Sequence, residues 1–310
     1  MEDVEAVVIV ENARSMHDIG TGDTTVERLS MFWEGADSNL ETNNVVVLDP
    51  DGQIVAYADL TEYEPFTVSE CEFGVLPGFD NRGIEEFLLN WAEQRAALTL
   101  PRAPSGERVT LEARAWATNL PLQQRILQAG FSRSRVWHRM QIDMHEPPPA
   151  PVWPEGVSVR TFDPAEVDAV HEAWEDAQSD EWGHSSLTDE EFRYYFVERE
   201  ANFDSTLWFL AIDDATGRII GYIICRWERP GEPRVGHVRY VAVRRPWRRR
   251  GIARALLCHT FGEFYRRGKS RVSLSVDSTS LTGADRLYMN AGMHPIQSTL
   301  VFEKVMRVAV

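Results

Sequence analysis

Two short glycine-centred patterns occur twice in this chain at nearly the same offset, and this constrains the fold more than any other feature. Arg82-Gly83-Ile84 and Arg250-Gly251-Ile252 each follow an apolar run and open a helical one, with their glycines 168 residues apart. Leu127-Gln128-Ala129-Gly130-Phe131 and Met289-Asn290-Ala291-Gly292-Met293 each close a later helix, with their glycines 162 residues apart. The difference in offset falls to the Pro- and Gly-bearing loop around Leu100 to Gly106. A tandem repeat follows. Between the copies runs Glu146 to Pro154, EPPPAPVWP, whose prolines fix φ and remove donors, so the segment is read as a stiff extended connector.

Periodicity fills in the same order of elements on each side. In the first half, Val45 to Val47, Ile54 to Leu60 and Cys71 to Leu76 read as strands. A helix from Gly83 to Ala97, a strand Val109 to Ala113, a helix Leu120 to Gln128 and a terminal strand through Met144 follow. The second half gives strands at Val157 to Thr161, Leu207 to Ile212, Ile219 to Arg226 and Gly236 to Val243. After them come a helix Gly251 to Arg267, a strand Val272 to Val276, a helix Thr282 to Asn290 and a closing strand Thr299 to Val305. The first half opens at its first helix, without a preceding strand.

With 310 residues and 43% hydrophobic content, each half has enough apolar surface for its own core. The three cysteines, Cys71, Cys225 and Cys258, are too scattered for a disulfide framework and lack CxxC spacing. No HExxH or Cys/His array is present, so no metal site is expected. The acidic start has no basic region before an apolar core, and no run reaches the roughly 18 apolar residues of a membrane span. The expectation is a soluble cytoplasmic protein with no membrane partner. The net charge of −16 argues against nucleic acid as partner. That charge is uneven: residues 1–150 hold 25 acids and 11 bases, residues 151–310 hold 23 and 21.

The densest basic run, Arg244-Arg245-Pro246-Trp247-Arg248-Arg249-Arg250, stands between an apolar strand and the helix that starts at Gly251. Amides in a first helical turn lack intrahelical partners, and the helix dipole puts partial positive charge there, so such a turn receives phosphate. Gly251 lets the backbone come close and Ala253 keeps the next turn open. From charge alone, a solvated patch or a weak nucleic-acid contact is the lesser alternative reading of the run.

Arg248-x-x-Gly251-x-Ala253 after a strand, followed by Ala284, Leu287-Tyr288 and Gly292-Met293, resembles the two motifs of the GNAT family of N-acetyltransferases. The likeness covers most of residues 155–306 and, more faintly, the first half; the tandem layout is similar to that of the mycothiol synthase type. It implies an α/β (α+β) fold of two tandem GNAT-like domains, each a mixed, mostly antiparallel sheet flanked by helices and splayed between its fourth and fifth strands. The implied division is a degenerate domain over 1–147, a linker over 148–154 and a catalytic domain over 155–310. The implied cosubstrate is acetyl-CoA. Its pyrophosphate would meet the backbone of Arg248, Arg249, Arg250, Gly251, Ile252 and Ala253, and its pantetheine arm the backbone of Val241, Ala242 and Val243. Ser280 stands where the family often has an asparagine.

The resemblance makes Tyr288 the acid that protonates the departing thiolate, a role its reference pKa near 10 permits at neutral pH. An alkyl ammonium must also lose a proton before it attacks. Strict alternation along the strand Gly236 to Val243 puts His237, Arg239, Val241 and Val243 on one face, which nominates His237 as that base. Glu181, Trp182 and His184 fall where the family forms its acceptor pocket. The first half departs from the motif at Asp80 and at Glu85. At roughly 5 Å and an effective dielectric near 20, each carboxylate opposes a phosphate charge by about 3 kcal/mol. The leading expectation is acetyl transfer to a primary amine of a small molecule. Acetylation of a protein N-terminus or lysine, and non-catalytic acyl-CoA binding, stay open as alternatives.

Overall fold

The computed structural model describes residues 3–22, 24–34, 39–179, 186–200, 203–229, 231–278 and 284–309. By its contacts the chain forms two compact units, Met1–Trp137 with Gln297–Val310, and His138–Ile296. The proline connector therefore does not mark where contacts divide, in contrast to the 147/155 division read from the sequence. The division by contacts falls instead between Trp137 and His138 and between Ile296 and Gln297.

The first unit is built from α1 (Val4–Ile19), α2 (Val26–Trp33), β1 (Asn44–Leu48), β2 (Ile54–Glu62), β3 (Val68–Val75), α3 (Ile84–Ala97), β4 (Val109–Trp116), α4 (Leu120–Gln128) and the start of β5 (Ser132–Asp143). Caps fix the helix starts. Thr25 accepts the Arg28 amide and Asn119 the Leu122 amide, each satisfying a donor the helix cannot. β1 to β3 form an antiparallel meander, and β3 then runs parallel to β4 with Val68–Cys71 against Thr110–Ala113. The chain's final strand, β11 (His294–Arg307), completes this unit by pairing antiparallel with β4, from Thr299 opposite Trp116 to Val305 opposite Thr110. One core gathers Leu88, Leu89, Ile126, Leu300 and Phe302; another joins α1 and α2 to Ile54 and Tyr57.

In the second unit β6 (Val157–Thr161), β7 (Trp208–Asp213), β8 (Ile219–Arg226) and β9 (Gly236–Val243) pair antiparallel in sequence order. β10 (Arg271–Asp277) then lies parallel to β9. α5 (Val167–Gln178) and α6 (Asp189–Arg193), the latter started by a Thr188/Glu191 capping box, lie in sequence between β6 and β7. α7 (Ile252–Arg266) precedes β10, and α8 (Ala284–Asn290) follows it. One face of the sheet packs Leu256, Phe261 and Phe264 of α7 with Val238, Leu274 and Tyr288. The other packs Val170 and Trp174 of α5 with Phe192, Phe196 and Tyr222. Burying each such side chain stabilises the fold by roughly 2–3 kcal/mol. The end of β5 belongs here too: Met140, Ile142 and Met144 lie in the α7 core, and the Met144 amide donates to Ser270 O at 2.7 Å. Among the described residues, no helix is long and apolar enough to cross a membrane.

Candidate active site

The site begins where β9 and β10 part. They pair only through Gly236 opposite Val272 and His237 opposite Ser273, although both strands continue. Beyond that point Tyr240 to Val243 keep their bonds to β8 on one edge, and among the described residues no strand pairs with the other. A gap between two parallel strands leaves backbone donors and acceptors available to an extended ligand. Val241 and Ala242 are half-buried at this edge and Val243 is buried.

At the far end of β9 the chain makes a tight turn into α7. Arg249 has φ 65° and Gly251 φ 86°, both left-handed, and Gly251 caps the helix without a side-chain bond. Among the described residues, no group takes the amides of Arg249 to Ala253. Ile252 is buried beneath the turn, whereas Arg249, Arg250 and Gly251 are exposed. A row of free amides at the start of a 15-residue helix, with Ala253 leaving room beside them, suits a diphosphate.

The arginines of the loop divide into two groups. Arg244 is buried against α5, 3.1 Å from Glu172 and 3.4 Å from Asp176. Arg248 donates from Nε to Val243 O and from Nη2 to Ala177 O, both at 3.0 Å, so its guanidinium braces the turn. Arg249 and Arg250 remain exposed for an anion, and Arg250 lies over the Trp247 ring at 4.7 Å. Arg254 ties the helices together, donating to Asn290 O at 3.3 Å at the end of α8. Two residues earlier on α8 is Tyr288, buried in the core that also holds Val243 and Ile252.

The structure corrects the reading of His237. The register between β8 and β9 slips by a residue, from Ile224 opposite Tyr240 to Cys225 opposite Val238, and this leaves Arg239 as a bulge. Val238, Val241 and Val243 pack on the α7 side, while Tyr240 and Ala242 pack on the α5 side. His237, next to Val238, therefore alternates onto the face opposite Val241. Burial first, then Arg229 and Arg226, push its imidazole down to about 3. A group so reluctant to accept a proton does not serve an ammonium as base. Strict alternation gave no sign of this slip, nor of the carboxylate of Glu200, which joins Arg226 and Arg239.

The first unit carries the same turn with different contents. Asn81 at φ 63° and Gly83 at φ 78° repeat the left-handed pair. Here Asp80 pairs with Arg14 at 2.8 Å, and Glu85, 3% exposed, pairs with Arg125 at 3.1 Å. The first helical turn thus holds its own carboxylate. Ser280, Glu181, Trp182 and His184, also singled out from the sequence, lie outside the described residues.

Such a splayed sheet with an open helix turn is the architecture of an acyltransferase. Residues 167–293 match the Acetyltransferase (GNAT) family. A mycothiol acetyltransferase from Salinispora arenicola is 30% identical over 83% of this chain and 80% of its own length. Another, from Thermobispora bispora, is 33% identical over 74% of each. A GCN5-related N-acetyltransferase from Sphaerobacter thermophilus has a TM-score of 0.84 and 35% identity, covering 100% of this chain and 94% of that one. A tandem GNAT protein from the clavulanic acid biosynthesis pathway shares the fold at a TM-score of 0.72 and 16% identity, over 98% and 95% of the chains. The chain belongs to the GNAT family of acetyltransferases. It is an N-acetyltransferase with a tandem GNAT fold, and enzymes of this family use acetyl-CoA.

Proposed function

We propose that the second unit transfers the acetyl group of acetyl-CoA to a primary amine of a small molecule, and that the first unit is a scaffold without cofactor chemistry. The observation that carries this reading is the contrast between two turns of like backbone. One carries Ala253 beside exposed Arg249 and Arg250; in the other, Glu85 stands at the position of Ala253 and pairs with Arg125. In the open turn, the amides of Arg249 to Ala253 and the exposed Arg249 and Arg250 hold the pyrophosphate. The free edge of Val241 to Val243 orients the pantetheine arm and thioester. Acetyl-CoA supplies the activated acyl group when bound. The names of the mycothiol acetyltransferase relatives support a small-molecule acceptor over a protein substrate.

Tyr288 donates its hydroxyl proton to the thiolate as the acceptor amine takes the acetyl carbon. His237 is set aside as the base, so the amine's proton leaves through water or in its unbound equilibrium. Removing a positioned general acid costs about 100-fold or more. Steady-state kinetics of Tyr288→Phe test the role. The expected result is kcat lower by about 100-fold with acetyl-CoA affinity within a factor of about two. Unchanged kcat would remove Tyr288 from the mechanism.

A further inference from the structure

The end of β8 and the first half of β9 carry positive charge that acetyl transfer by itself leaves unused. Building on the proposed reaction, we propose that Arg226 and Arg239 recognise an anionic group, a carboxylate or a phosphate, borne by the acceptor amine. The two guanidiniums share one carboxylate: Arg226 Nε donates to Glu200 Oε2 at 2.8 Å, and Arg239 Nη1 stands 3.5 Å from the same oxygen. Two cations on one anion leave a charge over. Their side chains are 26% and 22% exposed, so a solute reaches them while water screens them incompletely.

The site is built, not merely charged. Arg239 lies on the α5 side, where its guanidinium is 4.3 Å from the Phe196 ring centre and 5.4 Å from that of Tyr240. Stacking holds the plane of a guanidinium and leaves its edge for forked hydrogen bonds. His237 pairs in register with Arg226, and its Nδ1 is buried without a partner. After desolvation, repulsion from Arg226 helps to depress both the His237 imidazole and the Arg239 guanidinium. A bound anion relieves all three groups at once. Arg239 stands two residues before Val241 on β9, so the anion site and the proposed thioester edge share one strand. A neutral acceptor would leave this charge unanswered.

The test compares 6-aminohexanoate with its neutral amide as acceptors for the full chain at saturating acetyl-CoA. The acid is expected to show kcat/KM about tenfold higher, an advantage that falls to near parity in Arg239→Gln and in Arg226→Gln through a higher KM for the acid. Equal use of both probes by the native protein, or an unchanged acid preference in both variants, overturns the proposal. A second readout needs no turnover: the His237 ring resonances of the native chain should move on adding glutarate at neutral pH and stay in place with glutaramide. No response to glutarate overturns the site equally. Failure of acetyl-CoA to bind would instead refute the proposed reaction, because the glutarate titration is made without it.

Discussion

Glu85 Oε1 accepts a hydrogen bond from Arg125 Nη1 at 3.1 Å, and this pair fills in the first unit the helix turn that the second unit leaves open. Asn81, whose left-handed backbone matches that of Arg249, also accepts from Arg125. The repeat has therefore kept the turn's backbone while exchanging an external anion for an internal one. The helix dipole that would draw a phosphate there meets a carboxylate of the chain itself.

Arg125 is expected to matter for stability alone. With 13% and 4% exposure for the two side chains, Arg125→Ala strands the Glu85 carboxylate in the interior. Breaking such a pair from one side costs about 3 kcal/mol. Urea unfolding checks this as a lower midpoint at unchanged slope, and acetyl-CoA affinity should stay as it was.

Arg248 should act on the cofactor through the turn it braces. Arg248→Ala removes both bonds to Val243 O and Ala177 O, and acetyl-CoA affinity measured by calorimetry should fall about tenfold. Arg248→Lys should not restore it, because a single ammonium cannot span two carbonyls as a planar fork does.

His237 gives a pH prediction whose sign follows from its environment. The folded imidazole titrates at about 3 and the unfolded one near its ordinary 6.5, so between these values the unfolded chain binds the extra proton. The His237 contribution is thus complete above about 6.5 and is lost as pH falls toward 3. Replacing His237 with Asn should flatten the decline in unfolding free energy across that window, and it should leave the neutral-range limb of the pH–rate profile in place. Movement of that limb would return His237 to the reaction as base.

Much of this architecture was legible in the chain. Glycines at 83 and 251 marked the two turns because only a residue without Cβ enters that left-handed conformation cheaply, and strands such as Val157–Thr161 and Ile219–Arg226 stand where alternation put them. Two features were not legible for physical reasons. A bulge adds one residue to a strand and inverts every facing after it, so strict alternation put His237 and Val241 together although the fold separates them. Strand pairing is non-local, so nothing in Thr299 to Val305 announces that its partner is β4 of the first half. The role of Arg248 was hidden likewise: the motif located the side chain, and only the fold turned it onto Val243 O.

The asymmetry between the turns is tested most directly by titrating the full chain with acetyl-CoA, native and with Ala253→Glu, which places in the open turn the carboxylate that Glu85 supplies in the other. One equivalent bound per native chain and none by Ala253→Glu is the expected result. Two equivalents per native chain, or undiminished binding by Ala253→Glu, would contradict the assignment of the cofactor to the turn before α7.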